Sequence, residues 1–260
     1  MSAAFVTFDD VSLAYDGSGN AIENINLSIH EGEFVAFVGP SGCGKSTFMK
    51  LCTGLHSPTT GAVRVDGEPV TGPLKISGMA FQNANLLPWR TTLDNVLLPL
   101  EIVKPYRHQF RKRREEFVGW ARKLLKTVGL DGYEDQYPWQ LSGGMQQRAS
   151  ICRALIHQPR LLMLDEPFGA LDAFTREELW CVLRDLWEAQ RFTVVLVTHD
   201  LREAAFLADT VYIMSRRPGR VIERRSIEMA RPRALETTYE KPFIDLVQAL
   251  RAQIGEVRST

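Results

Sequence analysis

The chain has 260 residues and a mass of 29.4 kDa, which allows one large α/β domain or two small ones and excludes a multidomain machine. Its 31 Lys and Arg residues balance 31 Asp and Glu residues, so no overall charge draws the protein to nucleic acid or to anionic lipid. The four cysteines are scattered without a C-x-x-C pair, which argues against a zinc site and a disulfide framework. The N-terminus does not read as a signal peptide, and no apolar run approaches the ~20 residues that span a bilayer, so we expect no membrane span in this chain.

Strands are predicted in the N-terminal part and again in the C-terminal half. Ile25–Ile29 alternates apolar and polar residues, as a half-exposed antiparallel strand does, whereas Phe34–Val38 is apolar throughout and suits a strand buried in a parallel sheet. The dipeptides Asp66-Gly67 and Pro218-Gly219 each predict a hairpin turn. Two later segments share the fully apolar character of a buried strand, namely Leu161–Leu164 and Thr193–Val197.

Helices are predicted between these strands. Apolar residues recur at helical spacing from Phe117 to Val128, before Gly129 as the helix end. A second helix runs from Leu179 to Trp187, behind a candidate capping box formed by Thr175 and Glu178. Residues 88–155 lack strand signals, so we interpret them as a helical insertion in a doubly wound α/β core.

The segment directly after the strand Phe34–Val38 fits the phosphate-loop pattern G-x-x-x-x-G-K-[ST]. Its glycines let backbone N–H groups surround the phosphates, and the following helix points its positive N-terminus at them. We expect Lys45 to bridge the β- and γ-phosphates of ATP and Ser46 to offer its hydroxyl to Mg²⁺. The predicted ATP-binding residues of this loop are Gly39, Pro40, Ser41, Gly42, Cys43, Gly44, Lys45, Ser46 and Thr47.

Cys43 lies within this loop, close to the N-terminus of the predicted helix. A helix N-terminus lowers the pKa of a nearby thiol, so we expect alkylation of Cys43 to block ATP binding and ATP to protect it.

A pair of carboxylates supplies the second half of the predicted chemistry. Asp165 and Glu166 follow directly after the apolar segment Leu161–Leu164. We expect Asp165 to hold the hydration shell of Mg²⁺ and Glu166 to act as the general base that polarises the attacking water.

A run from Leu141 to Arg148 resembles the signature sequence of the ATP-binding-cassette (ABC) ATPases. The resemblance extends to about residue 225, with the motifs in the order of the family. It implies a P-loop NTPase (RecA-like) parallel-sheet core with an antiparallel β subdomain and an inserted α-helical subdomain. The implied domains are a nucleotide-binding core over 1–87 and 156–230, the helical signature subdomain over 88–155 and a C-terminal helical tail over 231–260. The signature residues are Leu141, Ser142, Gly143, Gly144, Met145 and Gln146.

The same resemblance implies roles for four further residues. Tyr15 sits where the family places an aromatic ring that stacks on adenine. Gln82 matches the glutamine that senses γ-phosphate, Mg²⁺ and water, so we count it with Glu166, His199 and Lys45 as catalytic and with Ser46 and Asp165 as a magnesium residue. Asp172 matches the D-loop, and His199 matches the histidine that donates to the γ-phosphate. In the family the signature serves the nucleotide of the other subunit, which implies a head-to-tail dimer, here a homodimer.

Non-transport members of the family act on DNA or ribosomes, and they are the alternative of a different class. The DNA-repair and chromosome proteins place a very long coiled coil between phosphate loop and signature, and the interval from Lys45 to Leu141 is too short for one. The basic run Arg107–Arg114 is followed at once by Glu115 and Glu116, which favours a solvated helix face. We therefore expect no nucleic-acid partner.

Two short segments indicate a branch of the transport proteins. The run Leu86-Leu87-Pro88-Trp89 and the segment Ser215–Arg220 resemble the importers of nitrate, sulfonate, taurine and related solutes. This implies separate integral-membrane permease subunits, an external solute-binding protein that acts indirectly, and a place at the cytoplasmic face of the inner membrane. An exporter or a lipoprotein-release system is the alternative.

Leu86, Leu87 and Trp89 would line an exposed groove for a short helix of the permease. Core packing of Trp89 is the alternative interpretation. The tail from Arg231 carries apolar residues at helical spacing and is expected to pack back on the core: Phe243, Leu246, Val247, Leu250 and Ile254.

Overall fold

A computed structural model describes residues 4–15 and 19–259, with side chains up to residue 255. The chain has two compact units. The first contains Met1–Leu74 and Trp187–Thr260, and the second contains Lys75–Leu186. The predicted helical insertion 88–155 lies within the second unit, which extends beyond it at both ends. That residues 88–155 form a subdomain of their own stays a prediction.

Ten strands are described along the chain: β1 Ala4–Ala14, β2 Asn20–His30, β3 Phe34–Val38, β4 Thr60–Val65, β5 Glu68–Pro69, β6 Ser77–Phe81, β7 Leu161–Asp165, β8 Thr193–Thr198, β9 Thr210–Met214 and β10 Val221–Ser226. Eight α-helices are described as well: α1 Lys45–Cys52, α2 Thr92–Ile102, α3 Tyr106–Gln109, α4 Arg114–Thr127, α5 Gly143–Leu155, α6 Ala173–Gln190, α7 Leu201–Leu207 and α8 Lys241–Ser259. No helix of the described residues is both long enough and apolar enough to cross a membrane.

The first unit contains an antiparallel sheet with the strand order β2-β1-β4-β5. The predicted alternation of β2 is present, since Ile25 and Ile29 are buried and Asn26 is exposed. The predicted hairpin at Asp66-Gly67 joins β4 to β5, with φ of 55° and 79° at its two residues. Two positive φ angles are what a two-residue hairpin turn requires, which explains this dipeptide.

The first unit also contains the strand order β10-β9-β3-β8. Strand β3 pairs in parallel with β8 and with β9, and all five of its residues are buried, as its apolar sequence predicts. Strand β10 pairs antiparallel with β9 across the predicted turn at Pro218-Gly219. The phosphate-loop segment therefore lies between the central strand β3 and helix α1.

Two arginines bind the C-terminal tail to residues 206–209 of the first unit. Arg233 is 1% exposed and donates to the carbonyls of Phe206 at 3.0 Å and Ala208 at 2.7 Å. Burial lowers the pKa of its guanidinium to about 10. Arg231 contacts Asp209 at 2.6 Å between Nε and Oδ1. Helix α8 follows and buries two of its predicted apolar residues, Phe243 and Leu250.

The second unit combines the parallel pair β6–β7 with α2 to α5 and with α6 up to Leu186. Helix α4 follows the predicted periodicity, and Gly129 after its end has φ of 74°. The predicted capping box before α6 is wrong. The helix begins at Ala173, and Asp172 Oδ1 accepts from the backbone N–H of Thr175 at 3.1 Å, so the cap lies three residues earlier than Thr175.

Candidate functional site

The phosphate loop of the first unit has the backbone that its glycines permit. Gly42 and Gly44 have φ of 76° and 97°, in the left-handed region. A Cβ at Gly44 would also lie 2.5 Å from Ile22 Cγ2. Only glycine fits this position, because both the backbone angle and the space exclude a side chain.

Lys45 is held beneath this loop. It is 6% exposed, and its Nζ donates to the carbonyl oxygens of Gly39 at 2.9 Å and Pro40 at 3.0 Å. Ser46 beside it is exposed. A phosphate oxygen is a stronger acceptor for an ammonium group than a carbonyl, so the lysine is poised to exchange these bonds for bonds to phosphate.

Cys43 contradicts one prediction about this loop. Its side chain is 1% exposed, and burial raises the pKa of the thiol although the nearby Lys45 acts in the opposite direction. The expected lowering by the helix N-terminus is wrong, because removal from water outweighs the helix. The buried thiol also leaves little room at Gly39, where a Cβ would lie 3.1 Å from Cys43 Sγ.

Tyr15 lies next to the phosphate loop. Its hydroxyl is 3.3 Å from Thr47 Oγ1, and its ring meets His56 edge-on with a centroid distance of 5.5 Å. An aromatic ring is therefore present beside the phosphate loop, while its stacking on adenine stays a prediction. No sequence pattern relates His56 to Tyr15, so this contact could not be predicted.

The turn between β9 and β10 supports the loop from below, which the sequence analysis also missed. A Cβ at Gly219 would overlap the carbonyl oxygen of Cys43. The Gly219 N–H donates to Ala21 O at 3.0 Å, and its carbonyl accepts from Glu23 N at 2.9 Å. The dipeptide Pro218-Gly219 predicts a hairpin turn, and nothing in the sequence indicates that this turn contacts the phosphate loop.

His199 is exposed at the end of β8, where a buried hydrogen-bond network fixes the turn. Thr198 Oγ1 donates to Glu203 Oε2 at 2.9 Å and accepts from Asp200 N at 3.0 Å. Glu203 is 3% exposed. Asp200 caps α7 by accepting from Arg202 N at 2.8 Å. Glu203 is thus a positioning residue that sequence analysis missed.

The second unit brings Gln82, Asp165 and Glu166 to one edge of the strand pair. Phe81 of β6 is the register partner of Asp165 in β7, so Gln82 and Glu166 both follow directly at the carboxyl ends of these strands. Asp165 and Glu166 are half-buried and Gln82 is exposed. The predicted residues of this half-site therefore come together.

Glu166 has an unusual backbone. Its φ is 47°, in the left-handed region that side chains rarely adopt, and its carbonyl accepts from Gly169 N at 3.1 Å. A Cβ at Gly169 would lie 3.2 Å from Gln82 Nε2. Strained residues of this kind concentrate at functional sites, which supports the special role predicted for Glu166.

The signature segment divides into buried and exposed residues. Leu141 is 6% exposed, and a Cβ at Gly144 would overlap Thr175 Cγ2. Ser142 and Gly143 are exposed, and nothing lies within 4 Å of a Cβ at Gly143. Ser142 Oγ caps α5 by accepting from Met145 N at 3.3 Å. Leu141 and Gly144 therefore pack against the rest of the unit, whereas Ser142 and Gly143 are accessible to a ligand.

Side chains of α5 hold the segment that follows Gln82. Gln147 is 2% exposed and its Nε2 donates to Phe81 O at 2.8 Å, while Arg153 donates to the carbonyls of Ala84 at 2.6 Å and Asn85 at 2.8 Å. The signature helix and the Gln82 segment are therefore linked by three direct hydrogen bonds. The sequence analysis did not single out either side chain.

Trp89 is exposed rather than packed in the core. Its exposed fraction is 71%, so the core-packing interpretation is wrong, and Leu86 and Leu87 near it are half-buried. Asp172, the predicted D-loop residue, is exposed and caps α6.

The donor chemistry fits Mg²⁺. Ser46 offers an exposed hydroxyl and Asp165 a half-buried carboxylate, which are the hard oxygen donors that Mg²⁺ prefers. Among the described residues, no group of three or more His, Cys, Asp or Glu forms a metal cage. Mg²⁺ at a nucleotide takes most of its ligands from phosphates and water, so one or two protein oxygens suffice.

Comparison with known proteins gives consistent matches. Residues 22–169 match the family model described as ABC transporter. The bicarbonate transport ATP-binding protein of Synechocystis sp. is 43% identical over 93% of this chain and 85% of its own length. The taurine import ATP-binding protein of Escherichia coli is 45% identical over 83% of this chain and 82% of its own, and the nitrate import ATP-binding protein of Synechococcus elongatus is 42% identical over 93% and 88%.

A solved structure supports the same assignment. A dimeric ATP-binding cassette in a post-hydrolysis state, bound to ADP and Pi, has a TM-score of 0.72 and 33% identity, covering 86% of this chain and 100% of that one. This agreement confirms the predicted P-loop NTPase fold. With the family model spanning more than half of the sequence, the chain belongs to the ABC transporter family, as one of its ATP-hydrolysing subunits.

Proposed function

We propose that this chain powers the import of a small solute, of the nitrate, bicarbonate or taurine type, by a bacterial ABC transporter. It would act as a head-to-tail homodimer docked on separate permease subunits. The single observation that carries the ATPase role is Lys45, buried under the phosphate loop with its ammonium on the carbonyls of Gly39 and Pro40. The relatives that are named for import of these solutes support the transport role.

The chain's own residues account for the reaction, which is in-line attack of water on the γ-phosphate of ATP. Lys45 moves its donors to the β- and γ-phosphate oxygens. Ser46, Asp165 and Gln82 would hold a magnesium ion, whose charge would offset the charge of the phosphates. Glu166 polarises the attacking water as general base, and His199 donates to the γ-phosphate, where charge develops.

In the proposed dimer the exposed signature residues, Ser142 and Gly143, would bind the nucleotide of the other subunit. Ser142 and Gly143 begin helix α5 and would present a hydroxyl and backbone N–H groups to the γ-phosphate bound by the other subunit. Asp172 would lie at the subunit contact, and Tyr15 would stack on adenine. A second copy is required for this arrangement, so an isolated chain would bind ATP and hydrolyse it slowly.

The permease contact is assigned to the exposed segment after Gln82. Leu86, Leu87 and Trp89 offer an apolar surface, and α5 holds the preceding backbone through Arg153. Movement of the signature helix would therefore be transmitted to this surface. The chain would work at the cytoplasmic face of the inner membrane, and the external solute-binding protein would act on it only through the permease.

The test is uptake in cells that express this chain with the permease and binding-protein genes found beside it. We expect uptake of one labelled solute among nitrate, bicarbonate and taurine, and its loss in the Lys45→Ala variant. Lys50→Ala, on the exposed side of the same helix, is the matched control and should transport normally. Uptake that survives Lys45→Ala, or recovery of ribosomes or DNA instead of a membrane protein in pull-downs, would overturn the proposal.

A further inference from the structure

A cavity of about 560 Å³ lies in the first unit, between the turn after β8 and the C-terminal helix α8. The turn contributes residues 199–202 and α8 contributes residues between 247 and 255. Gly39, the first residue of the phosphate loop, is also in its wall. The volume lies within the range of about 300–1,000 Å³ that is typical of small-molecule sites.

Helix α8 turns a second face toward this cavity. Val247, Arg251 and Ile254 are spaced at i, i+4 and i+7, so they share one side of the helix. Up to residue 255, where the described side chains of α8 end, Phe243 and Leu250 are buried. Val247 and Ile254 are only half-buried, so their apolar surface is left for something else to cover.

The cavity combines this apolar surface with positive charge from two separate elements. Arg202 belongs to α7 and Arg251 to α8, and Gln248 adds an amide. Arg202 also donates to Thr238 Oγ1 at 3.4 Å. A guanidinium binds carboxylate or sulfonate groups through paired N–H donors, so two of them in one cavity favour an anion.

One carboxylate and one imidazole also belong to the wall. Asp200 uses Oδ1 to accept from the backbone N–H groups of Arg202 at 2.8 Å and Glu203 at 3.3 Å, so part of its charge is compensated within the turn. His199 is the predicted γ-phosphate donor. Among the wall residues that the structure describes, the formally charged groups are thus two guanidinium groups and one carboxylate.

We propose that this cavity, whose wall shares Gly39 with the phosphate loop, binds a small organic anion with an apolar body. Leu201, Val247 and Ile254 cover the apolar part, and Arg202 and Arg251 hold the charged group. Binding does not depend on the proposed transport role. The presence of Gly39 and His199 in the same wall places this ligand beside groups that serve the nucleotide.

The probe is 1-anilinonaphthalene-8-sulfonate, an organic anion whose fluorescence rises on transfer to an apolar site, titrated into the full chain. Arg251→Glu should weaken its affinity about tenfold or more, because a charge-assisted contact becomes a repulsion. Lys241→Glu makes the same charge change at the start of α8 and should leave the affinity unchanged.

A second variant fills the cavity. Nothing lies within 4 Å of a Cβ at Gly255, and this residue lines the cavity, so Gly255→Leu should abolish probe binding while the melting temperature is kept. Ala252→Leu, at an exposed position of α8 outside the wall, is its control and should bind normally.

Two competing sites for the probe are tested separately, namely the phosphate loop and a surface that binds any anion. The Lys45→Ala variant should bind the probe with the parent affinity. A loss of affinity in this variant would place the probe at the phosphate loop and overturn the proposal. Hexanesulfonate should displace the probe and inorganic sulfate at equal ionic strength should not. Equal displacement by sulfate, or wild-type affinity in both Arg251→Glu and Gly255→Leu, would refute the site.

Discussion

In the proposed function the two units would hold a phosphate group in different ways. In the first unit the phosphate loop contains its own cation, and Lys45 is buried with carbonyl partners at 2.9 and 3.0 Å. In the second unit the signature residues 141–146 contain no cation, and the exposed ones are Ser142 and Gly143. Arg148, at the end of the run, donates to Val128 O and to Glu178. The first can bind a phosphate alone, whereas the second contributes only N–H groups and a hydroxyl.

This difference determines whether the phosphate loop and the signature segment can each bind a nucleotide alone. A loop with a buried lysine gains strong bonds as soon as phosphate arrives, because a charge-assisted hydrogen bond is about twice as strong as a neutral one. A helix N-terminus without a cation contributes about 0.3–1 kcal/mol at an exposed position, too little to recruit a nucleotide alone. In the proposed dimer the signature half would therefore depend on a nucleotide that another loop has already bound.

The largest expected effect concerns Glu166 of the second unit. Glu166→Gln should lower ATP turnover by about 10²- to 10⁴-fold, because loss of a general base costs that much, and should leave ATP affinity near the parent value. Phosphate release and nucleotide titration measure the two quantities. Glu115→Gln, an exposed change of the same type on α4, is the control. Turnover at the parent rate would show that Glu166 is not the base.

The next effect concerns Lys45 of the first unit. Lys45→Ala should weaken ATP binding by about 10- to 100-fold, because a hydrogen bond to a charged group contributes about 1.5–3 kcal/mol. Calorimetric titration gives the affinity, and Lys50→Ala on the same helix controls for the loss of a positive charge. If the two variants bind ATP equally well, the phosphate role of Lys45 is wrong.

A smaller effect, on the stability of the fold, tests the difference between the buried Gly144 and the exposed Gly143 of the signature. Gly144→Ala should lower the free energy of unfolding by about 1–3 kcal/mol, because its Cβ overlaps Thr175 Cγ2. Thr175→Ser removes that methyl group and should restore much of the loss in the double variant. Gly143→Ala, where the space is open, should not destabilise the fold. Denaturant unfolding decides, and equal destabilisation at both glycines would contradict the division.

The smallest effect concerns Cys43. Because burial raises its pKa, alkylation at pH 8 should be slower than at the half-exposed Cys181, and bound ATP should slow it further. Mass spectrometry of peptides after timed alkylation gives both rates. Faster labelling of Cys43 than of Cys181 would mean that the loop opens, and an absence of protection by ATP would separate Cys43 from the nucleotide.

Local patterns were enough to predict much of the fold and of the site. Strand β3 could be predicted because a strand buried on both faces is apolar at every position. The places of Lys45, Asp165 and Glu166 close behind buried strands could be predicted from fixed motif spacing, while their chemical roles stay predictions. The cap of α6 was misplaced because Asp172 and Thr175 are both good capping residues, and the sequence does not show which of them ends the helix.

What could not be predicted depends on contacts between distant segments. Gly219 supports Cys43 across more than 170 residues of sequence, and no periodicity relates them. Glu203 reads as an ordinary first-turn acidic residue of α7, and only the structure shows its carboxylate bound to Thr198 in a buried place. Cys43 was misjudged because the sequence reveals a helix N-terminus but not how deeply the thiol is buried.

The most direct measurement is ATP turnover in mixtures of two inactive variants. Lys45→Ala should disable the phosphate loop, and Gly143→Asp would add a negative charge toward the phosphate of the partner in the proposed dimer, at a position where nothing lies within 4 Å of a Cβ. Each variant alone should be inactive, and an equimolar mixture should regain turnover, because every mixed dimer contains one intact pair of phosphate loop and signature. A mixture that stays as inactive as the separate variants, or full activity of Gly143→Asp alone, would contradict the dependence of the signature on a second subunit.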